Sequence, residues 1–320
     1  MRIFLLLVLA TVVSRADEIW LGESMARLGF SNNAPVREGQ EERFERSNPR
    51  AVVVAERDKE SITINGIQVD MERAVRAKAF KVKGQPDVIR LTIERCDYEK
   101  ILVPLLWGPP AGSRRPLRIV LDPGHGGKDS GTVNPALNLQ EKNLTLDLAK
   151  RLAVLLQQSG HEVLLTRSTD TFVELGDRTK FANQVKADLF LSLHFNAGPI
   201  NRAAGTETYW LTPGGQHSTK DSANAGTVGQ LPGNTYDALN INLAYEMQRA
   251  LITSLGSTDR GTRRARWVVL KDLQCPGVLI ESAFLSDATE ARIYTQDAAR
   301  QRLAQIIAAG VAAYEAKLRR

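Results

Sequence analysis

The chain contains 320 residues, of which 43% are apolar and 24% are charged, and its formal net charge is +6. This composition is typical of a globular protein with one or two domains, and it excludes a disordered or collagen-like chain. With only two cysteines and four histidines, the chain cannot build a disulfide scaffold or a four-cysteine zinc site. No stripe of interleaved basic and aromatic residues accompanies the mild positive charge, so we expect no nucleic-acid partner.

The first sixteen residues have the features of a secretory signal peptide. Arg2 precedes an uncharged run from Ile3 to Val13, and the small residues Ser14 and Ala16 mark a cleavage site. This eleven-residue run is too short to cross a membrane, which takes about 20 apolar residues. We therefore predict that residues 1–16 are removed. The mature protein is expected in the periplasm or cell envelope, without an integral membrane segment.

Residues 17–112 are predicted to form a small β-rich domain that ends in a linker. The polar stretch from Asn32 to Pro49 is interpreted as a loop, and short alternating segments follow it. The pair Asn65-Gly66 between two of these segments indicates a tight hairpin turn. A turn-rich segment from Trp107 to Pro116 separates this part from the rest of the chain.

Residues 113–320 alternate apolar strands with amphipathic helices. This pattern predicts a three-layer α/β domain with a roughly six-stranded mixed sheet flanked by helices. The predicted strands are 117–121, 162–166, 188–193, 206–211, 266–270 and 278–281, and the predicted helices are 141–159, 176–185, 241–255 and 297–318. The glycine-rich segment from Thr212 to Asn240 is interpreted as a long loop.

Four side chains able to bind a metal or move a proton follow the predicted strands. His125 comes directly after the first strand, His194 and Glu281 end two later strands, and Glu141 opens the first long helix. Ligands of open α/β sheets bind beyond the carboxyl ends of the strands, so we expect these four residues to line one crevice. Two histidines and one carboxylate are a common catalytic zinc set, and a second carboxylate can take a proton from water.

Each of these residues also has a structural interpretation. His125 fits a loop histidine, His194 fits a half-buried core histidine, and Glu281 can accept hydrogen bonds from backbone amides. Asn138 and Glu141 have the spacing of a capping box, in which the glutamate reaches back to the start of its helix. The convergence of all four candidates on one edge favours the functional interpretation.

Several other polar residues have open roles. Asp122 and Asn196 are candidates either for holding the two histidine rings or for capping turns. His161 lies in a turn at the opposite edge of the predicted sheet, which favours a structural role, and His217 is interpreted as a solvated loop histidine. Whether the two cysteines pair is left open by their spacing.

Four parts of the chain carry a family resemblance. The four parts are LDPGHGGKDSG, Glu141, RTKFANQVKADLFLSLHFNA and VLIESAFLSD. In order and spacing, they resemble the zinc-dependent N-acetylmuramoyl-L-alanine amidases of the bacterial cell wall, the amidase-3 group. This resemblance extends over about Leu117 to Leu318. It implies hydrolysis of the amide bond between N-acetylmuramic acid and L-alanine in peptidoglycan, in cell-wall remodelling or daughter-cell separation.

The same resemblance implies roles for the four side chains. His125, Glu141 and His194 are expected to hold one Zn²⁺ per chain, and Glu281 is expected to act as general base. The expected partner is peptidoglycan, a protein activator is a further candidate partner, and the chain is expected to be a monomer. Some family members carry an inhibitory helix between the second histidine and the base, and the segment Thr212–Asn240 predicts weaker autoinhibition here.

Two other functions use the same residues. A zinc peptidase that cuts within the stem peptide needs the same metal chemistry, and a catalytically silent wall-binding module needs only the scaffold. The presence of Glu281 together with all three expected ligands favours an enzyme.

Overall fold

The computed structural model describes residues 18–37, 40–80, 88–109, 116–199, 202–219 and 229–319. The predicted signal peptide and the linker segment 110–115 lie outside these ranges. None of the helices in the described ranges is both long and apolar enough to cross a membrane.

The described residues form sixteen strands and nine α-helices. The strands are β1 Glu18–Trp20, β2 Ser31–Arg37, β3 Glu41–Ser47, β4 Arg50–Glu56, β5 Ser61–Ile64, β6 Ile67–Asp70, β7 Arg76–Phe80, β8 Val88–Glu94, β9 Arg118–Pro123, β10 Val133–Asn134, β11 Leu139–Gln140, β12 Glu162–Leu165, β13 Leu189–Asn196, β14 Thr206–Leu211, β15 Asp259–Ala265 and β16 Gly277–Phe284. The helices are α1 Leu21–Arg27, α2 Arg95–Asp97, α3 Val103–Trp107, α4 Glu141–Gln158, α5 Leu175–Gln184, α6 Asp237–Leu255, α7 Val268–Lys271, α8 Ala288–Tyr294 and α9 Asp297–Leu318. A π-helical turn, Tyr98–Leu102, joins α2 to α3, and two 3₁₀ turns span Pro135–Leu137 and Pro232–Tyr236.

The C-terminal part of the chain is built on six strands in the order β12-β9-β13-β16-β14-β15. Strand β14 runs antiparallel to β16, whereas the other neighbours pair in parallel, so the sheet is mixed as predicted. Alternate residues of one strand enter opposite layers: Ile119 and Leu121 pack with α4, α6 and α9, whereas Val120 packs with α5 and α7. The predicted three-layer architecture is therefore confirmed.

The N-terminal part is β-rich, as predicted: β1, β8 and β7 form a separate three-stranded antiparallel sheet, and the other strands of this part extend the large sheet. Strands β2 to β6 form an antiparallel series that continues the sheet through a parallel bridge between Val69 of β6 and Thr262 of β15. The β5–β6 hairpin turns at Asn65 and Gly66, whose φ angles of +51° and +80° are those of the tight turn that this pair favours. Tyr245 of α6 donates a hydrogen bond to the Ile64 carbonyl, so the central helix also packs on this hairpin.

The prediction of a loop from Asn32 to Pro49 was wrong, because this region contains the paired strands β2 and β3. Strand β3 has the sequence EERFERS, which offers one apolar side chain to the core. Glu42 is buried beside Phe44 and accepts a hydrogen bond from the Leu91 amide. A tertiary contact thus satisfies a charged side chain that made the segment look like a loop.

The predicted strand 266–270 was also wrong. The strand of this region is β15, seven residues earlier, and residues 268–271 form the short helix α7. Strand β15 reads DRGTRRA, and its buried Arg264 lies 3.6 Å from both Glu72 and Asp97. Because the carboxyl groups beside this arginine come from the N-terminal part, local sequence patterns could not identify the strand.

The loop predicted from Thr212 to Asn240 is shorter than expected. A 3₁₀ turn spans Pro232–Tyr236, and α6 begins at Asp237 rather than at Ile241. Asn234 organises this start, since its side chain donates to Asp237 and to the Thr212 carbonyl. Residues 220–228 of the segment lie outside the described ranges.

Candidate functional site

The structure brings the four candidate side chains to one cleft of about 420 Å³. His125 follows β9, His194 lies near the end of β13, and Glu281 is its direct neighbour on β16 in the parallel register. Glu141 is the first residue of α4, which starts at the same edge of the sheet. The convergence expected from the strand pattern is therefore present.

Glu141 is the centre of the cluster. Its Oε1 atom lies 2.9 Å from Nε2 of His125 and 2.9 Å from Nδ1 of His194. The Phe195 amide also donates to Oε1, and the Thr132 amide donates to Oε2 at 2.8 Å. One ligand atom from each of Glu141 and the two histidines lies within 4.8 Å of the others. These contacts direct three metal-ligating groups toward one point.

The capping-box interpretation of Glu141 does not hold. The N-cap of α4 is Gln140 without a side-chain cap, and Asn138 adopts a left-handed conformation at the end of the preceding 3₁₀ turn. The Glu141 side chain points to the histidines instead of back to its own helix start. The first turn of α4 thus serves the cleft.

Two glycines leave room for the cluster. A Cβ atom at Gly124 would lie 2.2 Å from the His194 ring, and a Cβ at Gly131 would lie 2.6 Å from Oε2 of Glu141. The second position also has a φ of +63°, which L side chains rarely adopt. The glycines of the His125 loop are therefore needed for close approach to the ligating side chains.

Hydrogen bonds within the cluster set the charge of Glu141 and His125. Burial opposes the charge of Glu141, yet its hydrogen bonds with His125 and His194 hold its pKa far below the usual range. Burial alone would lower the pKa of His125, but hydrogen bonds and charge attraction from Glu141 and Asp129 raise it. The result is a buried carboxylate that stays anionic and has a need for a cation beside it.

The orienting partners differ from those expected. Nδ1 of His125 lies 2.8 Å from Oδ2 of Asp129, which leaves Nε2 directed at Glu141. Asp122 contacts neither histidine: it accepts hydrogen bonds from Thr166, Arg178 and Ser192. Asp129 was missed by the sequence reasoning, although its position four residues after His125 was a usable signal.

Asn196 also binds elsewhere, and its partner introduces a second glutamate. Asn196 donates to Oε1 of Glu207, which faces Glu281 across the β14–β16 pair. Oε1 of Glu207 also accepts from Tyr209, and its Oε2 accepts from Arg260 and Arg263. Burial opposes the charge of Glu207, but these arginines keep its pKa lowered. Both of its oxygens are therefore occupied by donors.

The remaining histidines and cysteines lie outside the cleft. His161 is buried and accepts a hydrogen bond from the Leu117 amide, in agreement with a structural role. His217 is half-buried rather than solvated, and its Nδ1 lies 2.6 Å from Glu72. Cys96 and Cys275 are both free thiols. Burial raises the pKa of Cys96 to about 11 and that of Cys275 to about 12, so neither has the character of a nucleophile at neutral pH.

The donor set fits a zinc ion. Two imidazole nitrogens and a carboxylate oxygen are the ligands of many catalytic zinc centres, with one position left for water or substrate. The glycine cradle excludes any larger side chain at the two positions described above, and the anionic Glu141 is only 3% exposed. The residues present therefore match what a divalent cation needs.

Comparison with known proteins places the chain in a family. A family model described as N-acetylmuramoyl-L-alanine amidase matches residues 119–313, which is more than half of the chain. The chain therefore belongs to the N-acetylmuramoyl-L-alanine amidase family.

Individual relatives support the assignment. LytC of Bacillus subtilis is 37% identical over 61% of this chain, and the chain spans only 35% of the length of LytC. AmiC of Escherichia coli O6:H1 is 28% identical over 93% of this chain and 88% of AmiC. The catalytic domain of CwlV, an N-acetylmuramoyl-L-alanine amidase from Bacillus (Paenibacillus) polymyxa, is 34% identical with a TM-score of 0.52, over 62% of this chain and 97% of that domain.

Proposed function

We propose that the protein hydrolyses the amide bond between N-acetylmuramic acid and L-alanine in peptidoglycan, with one zinc ion per chain. The observation that carries the proposal is the convergence of His125, Glu141 and His194 on one point beside Glu281. Family membership supports the bond that is cut. The proposal includes export to the periplasm or cell envelope, action in wall remodelling or daughter-cell separation, and a monomeric state.

The three ligating side chains have distinct tasks. Nε2 of His125, Nδ1 of His194 and a carboxylate oxygen of Glu141 would hold the ion. Asp129 keeps the proton of His125 on Nδ1, so that Nε2 is free to bind. When bound, zinc supplies a Lewis acid that polarises a carbonyl oxygen and lowers the pKa of a water molecule.

Glu281 is the candidate general base. It lines the same cleft, and it is the neighbour of His194 in the parallel strand register. Its carboxylate would take a proton from the attacking water and deliver it to the nitrogen of the leaving L-alanine. Glu207 lies opposite it across the sheet, but four donors already occupy the Glu207 oxygens. Glu281 lines the cleft and Glu207 is not among its lining residues, which favours Glu281 over Glu207.

The cleft also offers an apolar wall for a substrate. Leu175 at the start of α5 and Val268 at the start of α7 both line it and are exposed. Trp267 lies beside them and packs edge-to-face on Tyr209 with a centroid distance of 5.7 Å. These exposed apolar side chains offer a surface on which part of a long polymer can lie.

The assignment of roles is tested by separating metal binding from catalysis. We expect Glu281→Gln to retain one zinc per chain and to lose about 10²–10⁴-fold in hydrolysis rate, since it removes only the proton acceptor. His125→Ala is expected to lose both zinc and activity. Metal analysis is run beside an assay on intact peptidoglycan.

The matched control is Glu162→Gln, the same substitution at an exposed position at the start of β12. It should keep both zinc and activity. A fully active Glu281→Gln variant would show that another residue moves the proton. Retention of zinc by His125→Ala would remove this histidine from the ligand set.

A further inference from the structure

Two buried arginines lie behind the loop that carries His125. Arg167 follows β12 and is 3% exposed, and Arg178 lies on α5 and is 1% exposed. The catalytic role proposed above assigns nothing to either side chain, although Arg178 lines the cleft. Two buried guanidinium groups need a specific reason, because an arginine is costly to remove from water.

Their hydrogen bonds go to three consecutive carbonyl groups of this loop. Arg167 donates from Nε to the Pro123 carbonyl at 2.9 Å and from Nη2 to the Gly124 carbonyl at 2.8 Å. Arg178 donates from Nη1 to the Pro123 carbonyl and from Nη2 to the His125 carbonyl, both at 2.8 Å. The carbonyl groups of Pro123, Gly124 and His125 are thus each held by at least one arginine.

Arg167 also binds the first turns of the helix that begins with Glu141, a second expected ligand. Its Nη2 also donates to the Lys142 carbonyl at 2.8 Å and to the Thr145 hydroxyl at 3.1 Å. Both residues belong to the first turns of α4, which begins with Glu141. One guanidinium therefore ties the backbone that carries His125 to the backbone that carries Glu141.

The conformation of His125 explains why such support is needed. Its φ is +62°, a left-handed conformation that is unfavourable for a non-glycine residue. A conformation of this kind persists only when surrounding groups enforce it. The rigid, planar fork of an arginine can bridge two separated carbonyls at once, whereas a lysine ammonium is a single point of donation.

Charge pairing explains the burial of Arg178 only in part. Arg178 has one carboxylate partner, Asp122 at 2.9 Å, whereas the hydrogen bonds of Arg167 described above go to carbonyl and hydroxyl oxygens. Burial and the neighbouring Arg178 lower the pKa of Arg167. The surroundings of Arg167 thus disfavour its charge, while its N–H groups hold the backbone carbonyls of Pro123 and Gly124 in place.

We propose that Arg167 and Arg178 are positioning residues of the metal site, which hold His125 and the start of α4 in the ligating geometry before an ion binds. This inference rests on the proposed function, since it assumes that His125 and Glu141 are ligands. The two arginines act through the backbone carbonyls that they bind, and Arg178 does so from the wall of the cleft.

Zinc affinity and amide hydrogen exchange test the proposal with Arg167→Lys and Arg178→Lys. The control is Arg264→Lys, at an arginine that is equally buried but contacts Glu72 and Asp97 instead of the loop. Zinc affinity is measured by competition with a chromophoric chelator. We expect Arg167→Lys and Arg178→Lys, called the loop variants below because they alter the support of the His125 loop, to bind zinc at least 10-fold more weakly. The control should stay within 3-fold of the wild type.

The second measurement uses the metal-free proteins. In both loop variants, amide exchange of a peptide spanning residues 121–129 should accelerate at least 10-fold, with exchange of α6 and α9 unchanged. Acceleration throughout the chain, with unchanged zinc affinity once stability is restored at lower temperature, would assign the arginines to general stability and overturn the proposal.

If Arg178→Lys fails to fold, Ser192→Ala replaces it, because Ser192 donates to the Asp122 carboxylate that anchors Arg178. It should weaken zinc binding by more than the 3-fold range allowed to the control, and binding within that range would contradict the proposal.

The failure of this proposal and that of the proposed function give different results. If the wild type itself binds no zinc, the proposed function fails, and the exchange of residues 121–129 still decides whether the arginines hold the loop. If the wild type binds zinc and all the variants bind it equally well, the positioning role alone is wrong.

Discussion

Glu141 carries a negative charge into a place almost closed to water, and its hydrogen-bond partners make that charge tolerable. Two histidine nitrogens and the amides of Thr132 and Phe195 surround the carboxylate. A buried carboxylate with several donors stays ionised, and it gains further from a nearby cation. The side chain is thus prepared for a metal by the protein itself.

Asp129 provides a test at the level of one residue. We expect Asp129→Ala to weaken zinc binding about 10–100-fold, because the His125 ring loses the partner that fixes its proton on Nδ1. Asp129→Asn should have a smaller effect, since its amide oxygen still accepts a hydrogen bond. Chelator competition measures both, with Asp177→Ala on the exposed face of α5 as the control.

An unchanged zinc affinity in Asp129→Ala would contradict the role given to this residue. A similar loss in Asp177→Ala would show instead that any change of surface charge weakens the site.

Sequence reasoning identified the four candidate residues of the cleft but not the residues that support them. His125, His194 and Glu281 could be placed because each follows an apolar strand, and strand ends locate a cleft. The spacing of Asp129 from His125 was a signal that went unused, whereas Arg167 and Arg178 could not be placed, because their partners in the His125 loop are backbone carbonyls more than 40 residues away along the chain. Such contacts depend on tertiary geometry that spacing does not encode.

Elements with a clear apolar period were predicted well. Helix α4 spans Glu141–Gln158 and ends before Gly160, whose φ of +88° suits the end of a helix. Strands β3 and β15 were missed because their buried positions include Glu42 and Arg264, which rely on partners far along the chain. Polar strands are therefore the elements for which a single sequence is least informative.

The loop between β9 and α4 can be tested at the level of an element. We expect Gly124→Ala to lose at least 10-fold in zinc affinity and about 1–3 kcal/mol in unfolding free energy, because its Cβ would lie 2.2 Å from the His194 ring. Calorimetry and chelator competition measure the two effects.

Gly176→Ala is the matched control. Gly176 lies in α5, a Cβ there would meet nothing within 4 Å, and alanine is favoured over glycine in a helix by about 1 kcal/mol. This variant should be equally or more stable and should bind zinc normally. Equal zinc affinity in both alanine variants would mean that the close approach at Gly124 does not serve the site.

At the scale of the whole molecule, the N-terminal strands and the catalytic sheet share one buried junction. Arg264 of β15 donates to the Met71 carbonyl, and Asp97 accepts from the Glu72 amide beside it. The Asn242 side chain of α6 donates to the Pro104 carbonyl. The domain boundary near residue 112 stays a prediction from sequence, but these contacts cross it.

Asp97 gives this junction a pH dependence. Burial raises its pKa to about 7, despite the opposing effect of Arg264. In the unfolded chain the carboxyl ionises near pH 3.9, so between about pH 4 and pH 7 the folded state holds a proton that the unfolded state has lost. The free energy of unfolding should therefore fall as pH rises through this window, by up to about 4 kcal/mol at ~1.4 kcal/mol per pKa unit.

The comparison with Asp97→Asn isolates this contribution. The asparagine keeps an acceptor for the Glu72 amide but does not titrate. Urea unfolding from pH 4.5 to pH 8 should show the wild type losing stability relative to the variant up to about pH 7 and running parallel above it. Two parallel curves throughout would mean that Asp97 does not retain its proton in the folded protein.

The proposed activity is cleavage of the bond between the glycan and its peptide. The most direct measurement is mass spectrometry of the products formed when purified residues 17–320 are incubated with zinc and intact peptidoglycan. We expect free stem peptides that begin with L-alanine, beside glycan strands stripped of peptide. Cleavage only within the stem peptide would contradict it and indicate a zinc peptidase. The absence of any product from folded, zinc-loaded protein would contradict an activity that the chain carries alone, in favour of a silent wall-binding module or a required protein activator.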